Sequence, residues 1–102
     1  MEAGCFVGTP LLGDTLVDRV LTVDTNHTPT APSAAPTYTV YGPDGVVTTG
    51  TTTQVGAVTG LYSVSLICST GNGYVAGQQY QVVFSYTVSA VVRGQVHYFQ
   101  VG

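Results

Sequence analysis

Gln79-Tyr80-Gln81-Val82-Val83-Phe84-Ser85-Tyr86-Thr87-Val88 decides the fold. Tyr80, Val82, Phe84, Tyr86 and Val88 fall on one side of an extended chain, and Gln81, Ser85 and Thr87 on the other. A period of two with one apolar side marks a strand buried on one face and wet on the other. Working back, Tyr62, Val64, Leu66 and Cys68 repeat the pattern, so Leu61 to Cys68 is a second such strand. Tyr62, Val64, Leu66, Tyr80, Val82, Phe84 and Tyr86 form the expected core, because a slip of one residue would turn every one of them to water.

Turn signals divide the remainder. Thr37 to Tyr41 is a short strand ended by Gly42-Pro43-Asp44-Gly45, and Val46 to Thr53 is its threonine-rich hairpin partner. A strand from about Thr15 to Val23 carries Val17, Arg19, Leu21 and Val23 on one face and Leu16 and Val20 on the other, a mixture that suits a bulge or a sheet edge. From Asp24 to Pro36, prolines at 29, 32 and 36 rule out a central strand or a helix, and the segment reads as a solvent-facing tip. Ser69-Thr70-Gly71-Asn72-Gly73 breaks the Leu61 strand, and Tyr74, Val75 and Ala76 are expected to pack back as a plug. Beyond a turn near Ser89-Ala90, Val91 to Val101 makes the last strand. About seven antiparallel strands at this spacing predict an all-β, immunoglobulin-like sandwich. Residues 14–102 are expected to form its single domain, with residues 1–13, including a short strand at Cys5 to Val7, as an N-terminal arm free to move.

Composition narrows the function. Only 7% of the 102 residues are charged, there is no lysine, and Arg19 and Arg93 are the only fixed positive charges in a net charge of −3. Displacing counterions from phosphates takes several basic side chains, so no direct nucleic-acid partner is expected. No apolar run reaches the roughly 18–20 residues of a membrane span, and no membrane partner is expected either. Met1 to Phe6 lacks a basic leader and an apolar core, so the chain reads as a leaderless protein made in a cytoplasm. Cys5 and Cys68 are read as free thiols, Cys68 buried at the end of its strand.

The groups able to do chemistry are few. His27 lies in the proline-rich loop and His97 in the last strand, too sparse with two cysteines for a zinc site. Asp14 and Asp44 sit in turns; Asp18 and Asp24 could flank a calcium ion, which ordinarily wants more carboxylates together. Ser63, Ser65 and Ser85 are polar fillers of wet faces, and Gly71-Asn72-Gly73 opens no helix that would hold a phosphate. No catalytic, metal-binding or cofactor-binding residue is assigned, and no enzyme activity is expected. Of the seven tyrosines, Tyr62, Tyr80 and Tyr86 belong to the core, one of Tyr38 and Tyr41 is exposed, and Tyr74 and Tyr98 are open.

The stretches Ala35-Pro36-Thr37-Tyr38-Thr39-Val40-Tyr41-Gly42-Pro43, Thr59-Gly60-Leu61-Tyr62-Ser63, Asn72-Gly73-Tyr74-Val75-Ala76-Gly77-Gln78-Gln79-Tyr80 and Phe99-Gln100-Val101 resemble small immunoglobulin-like or macroglobulin-like proteins of tailed bacteriophages and prophage regions. Leu12-Gly13-Asp14-Thr15 fits their opening strand. The resemblance implies a structural virion protein, either a capsid decoration or a head–tail accessory subunit, whose partners are capsid or neck proteins and copies of itself. It implies a virion location and carries over no functional residues. The alternative is a carbohydrate- or host-surface-recognition sandwich of a phage tail or cell-surface protein.

Overall fold

The computed structural model describes residues 5–102, so the first four residues of the expected arm and leader reading lie outside it. Eight strands and no α-helix make up the described chain: β1 (Cys5–Phe6), β2 (Thr15–Leu21), β3 (Thr37–Gly42), β4 (Gly45–Thr51), β5 (Thr53–Gln54), β6 (Leu61–Ile67), β7 (Gln79–Val88) and β8 (Val91–Gln100). They form a five-stranded sheet in the order β1-β8-β7-β3-β4 and a three-stranded sheet in the order β2-β6-β5. The expected all-β sandwich is the observed one. In immunoglobulin-type sandwiches the third, sixth and seventh core strands share one sheet and the second, fourth and fifth the other. Here β3, β7 and β8 take the first set of places, and β2, β5 and β6 the second.

Alternation along the two longest strands builds the core. Tyr80, Val82, Phe84, Tyr86 and Val88 of β7 meet Val20 of β2, Tyr62, Val64 and Leu66 of β6, and Phe99 and Val101 at the end of the chain, all buried. All seven residues expected in the core are among them. Tyr74, Tyr80 and Phe99 close one end, with ring centroids 5.0 Å apart for Tyr74–Tyr80 and 5.5 Å for Tyr80–Phe99.

Tyr80 has a second task. Its hydroxyl accepts the Val75 N–H at 2.7 Å and ties the β6–β7 crossing to the start of β7. The contact resembles the tyrosine corner of immunoglobulin-like domains, in which the tyrosine stands two residues before the second cysteine of antibody folds. The residue in that place here is Val82, fully buried in the core.

Three expectations are corrected. Val46 to Thr53 is not one strand: the chain leaves the larger sheet at Thr51 and joins the smaller at Thr53. Thr52 makes the crossing, its amide and hydroxyl both donating to the Pro36 carbonyl at 2.9 and 2.8 Å. The strands are not all antiparallel, since β1 runs parallel to β8, with Cys5 opposite His97 and Phe6 opposite Tyr98. The plug after the β6 break is Tyr74 alone, at 2% exposure; Val75 is 54% exposed and Ala76 also faces water. Residues 5–8 of the expected arm lie along β8, where the Val7 amide donates to the Tyr98 carbonyl, and beyond β8 the Leu12 and Gly102 amides donate to the Gly102 and Pro10 carbonyls.

Candidate functional site

β2 settles its mixed sequence by turning Leu16, Asp18 and Val20 inward and Thr15, Val17, Arg19 and Leu21 outward. An aspartate therefore enters the sandwich between two apolar side chains. It meets His97, which projects inward from β8 of the opposite sheet. The Asp18 Oδ2 and His97 Nδ1 atoms are 2.8 Å apart, with the side chains 5% and 11% exposed. Asp18 Oδ1 accepts the Arg19 N–H at 2.7 Å. The imidazole packs edge-on against Phe84, centroids 5.0 Å apart. Both oxygens of the buried carboxylate are thus used, the condition under which a buried polar group is tolerated. A second polar tie runs beside it, from Gln95 Nε2 to the Leu21 carbonyl at 3.0 Å.

An aspartate–histidine pair is two thirds of an acyl-transfer triad. Among the described residues no serine, threonine or cysteine hydrogen-bonds the ring, and the only side-chain partner of His97 is Asp18. The arrangement clasps the two sheets. The pair was not foreseen, although the sequence held a signal: Asp18 shares its period-two face with Leu16 and Val20.

The other candidates are dispersed. Asp24 does not join Asp18; its Oδ1 accepts the Asn26 and Thr28 amides at 2.8 and 3.0 Å and closes the loop tip on itself. The Thr28 amide, with a smaller share from Asn26, holds the Asp24 carboxyl below its usual range against a partly opposing desolvation. His27 is exposed on that tip with a left-handed φ of 60°. Asp14 accepts the Leu11 amide at 3.3 Å in the turn before β2, and Asp44 is exposed in the β3–β4 turn. Ser63, Ser65 and Ser85 stand on the outward faces of β6 and β7. Thr70 to Asn72 form one 3-10 turn closed by Gly73 in the left-handed region. Among the described residues no three His, Cys, Asp or Glu side chains gather where a metal ion could be held. Cys5 is exposed on β1 and Cys68 is buried at the far end of β6, where burial raises its thiol pKa.

Two clefts share Val47. One, of about 430 Å³, lies between the β3–β4 turn and the start of β7. The other, of about 440 Å³, opens between β4 and β6, where the two-residue β5 leaves the sandwich flank uncovered, and is lined by Tyr38, Thr48, Leu66, Ile67, Asn72 and Tyr74 among others. Tyr38 leans on the core, Tyr41 is exposed, and Tyr98 packs on Phe6 with centroids 5.1 Å apart.

The outer face of the smaller sheet also carries exposed apolar side chains. Leu21 stands opposite Leu61, Arg19 opposite Ser63, Val17 opposite Ser65 and Thr15 opposite Ile67. Val17, Leu21 and Ile67 are 55%, 40% and 53% exposed, and Arg19 is the face's only charge across these two strands. The outward face of an antiparallel sheet is ordinarily polar, and apolar side chains clustered there mark contact surfaces.

Comparison with family models, with curated proteins and with solved structures finds no match to this chain.

Proposed function

We propose that this protein is a non-catalytic structural subunit of a tailed-phage particle, a capsid decoration or head–tail accessory protein that binds capsid or neck proteins. The observation that carries the reading is the outer face of β2 and β6, where Val17, Leu21 and Ile67 are exposed among threonine, serines and one arginine. A face of this kind suits a broad, uncharged protein surface, to which it adds burial of apolar area.

Two further observations support it. The motifs that carry the phage resemblance occupy fold-building positions: Pro36 is buried before β3, Tyr62 and Tyr74 are core, and Tyr80 holds the Val75 amide. A charge content of 7% leaves few ion pairs for a partner to use, so attachment runs through apolar area and backbone hydrogen bonds.

The test is sedimentation of purified particles with the protein, followed by quantification of its copy number. A fixed stoichiometry, reduced by Val17→Lys and by Ile67→Lys, supports the reading. Absence from particles together with binding on a glycan array would replace it with the surface-recognition module.

A further inference from the structure

Four strands of the described chain stand at sheet edges, β1 and β4 in the larger sheet and β2 and β5 in the smaller. An open edge is a template for another strand, and proteins blunt edges by shortness, by proline, by bulges or by inward-pointing charge. β1 and β5 are two residues long. β2 is seven residues long but carries the inward Asp18, whose carboxylate takes the Arg19 amide at 2.7 Å.

β4 is the exception. It runs seven residues, Gly-Val-Val-Thr-Thr-Gly-Thr, with no charge and no proline. One bulge marks its start, where Val47 stands between the Tyr41–Val46 and Val40–Thr48 pairs; from Thr48 to Thr51 the ladder with β3 is regular. The Thr52 amide donates to the Pro36 carbonyl. Antiparallel hydrogen bonding alternates, so Gly50 and Thr48 also bond to β3 while Thr49 and Thr51 turn their backbone N–H and C=O to the open side. Both threonines are exposed.

We infer that β4 is a strand-pairing edge whose partner is β4 of a second copy of this chain, joined antiparallel about a two-fold axis into one continuous sheet. Charge selects this occupant. Two-fold pairing sets a strand against itself, so any charge near the axis would face its like. Residues 45–60 carry none. Thr49 and Thr51 meet threonines across the axis, a favourable cross-strand pairing. A charged guest strand would find no counter-charge on β4 to align it.

The test is sedimentation equilibrium of the full chain from about 1 μM to about 1 mM. The wild type should dimerise, and Thr49→Pro, which removes an outward N–H without touching the β3 ladder, should weaken dimerisation at least about tenfold. Thr49→Ser and Val17→Lys should dimerise as the wild type does. Amide exchange of the wild-type protein gives an independent reading should the proline variant fold poorly: Thr49 and Thr51 should slow as concentration rises while Thr48 and Gly50 do not change. A monomer throughout the range overturns the inference. So does a dimer that a folded Thr49→Pro variant leaves intact, or exchange at Thr49 and Thr51 that ignores concentration.

Discussion

At the scale of single residues, Asp18 and Tyr74 mark two ways of placing a polar group in a small core. Asp18 is fully engaged, by His97 from the other sheet and by the Arg19 amide. Removing one member leaves a buried polar atom of the other without its partner, so Asp18→Ala and His97→Ala should each lower stability by about 1–3 kcal/mol in urea unfolding. Asp18→Leu combined with His97→Leu should recover most of that loss, because apolar residues in both places need no partner. Tyr74 is the opposite case: its hydroxyl is buried without any hydrogen-bond partner. Burial above all, then Cys68, Tyr38 and Tyr80, pushes its pKa up to about 12 from the ordinary 10.0. Above pH 10 the unfolded chain gives up a proton that the folded chain keeps, so stability should fall between about pH 10 and pH 12 and then level off. Tyr74→Phe should flatten that decline in alkaline melting curves and leave stability at pH 7 unchanged or higher, since no hydrogen bond is lost.

At the scale of elements, the β7–β8 hairpin carries strain that its strands tolerate. Val88 pairs with Val91, leaving Ser89 and Ala90 as a two-residue turn, with φ of 50° and 64°. Both positive φ values belong to the turn whose twist matches a hairpin, normally served by Asn-Gly. Each left-handed residue with a Cβ costs about 1 kcal/mol. Ser89→Asn with Ala90→Gly should raise stability by about 1 kcal/mol, read as a higher denaturation midpoint with an unchanged slope. The β5–β6 turn shows the converse. Gly60 has a φ of 81°, and a Cβ there would lie 2.9 Å from the Thr22 carbonyl oxygen. Here glycine lets the chain pass close to β2, where the Thr22 amide donates to the Gly60 carbonyl at 2.8 Å.

For the whole molecule, scarcity of charge is the feature with the widest consequence. Lysine is absent, the two arginines lie on separate strands, and the outer face of β2 and β6 offers one of them. If this surface attaches the protein to a particle, few ion pairs are there to be screened. Particles washed in about 1 M NaCl, where the screening length is about 3 Å, should retain the protein. Release by salt alone, measured in the supernatant after pelleting, would show that charge holds it.

Alternation along β6 and β7 and the turn signals between strands are local properties, and together they determined the sandwich, the seven core positions and most strand limits. The tertiary structure decided what depends on residues far apart in the chain. Val17 and Val20 are equally apolar, and only pairing with β6 says which is exposed. The continuous threonine run gives no local sign that Thr52 changes sheets, because the cause is the Pro36 carbonyl across the molecule. The site fared likewise. Alternation places Asp18 on the face of Leu16 and Val20, but its meeting with His97 follows from two sheets packed face to face with β2 and β8 at matching depth. Periodicity assigns a side chain to a face; which face it then meets is set by long-range strand pairing, and the short-range pattern does not encode that.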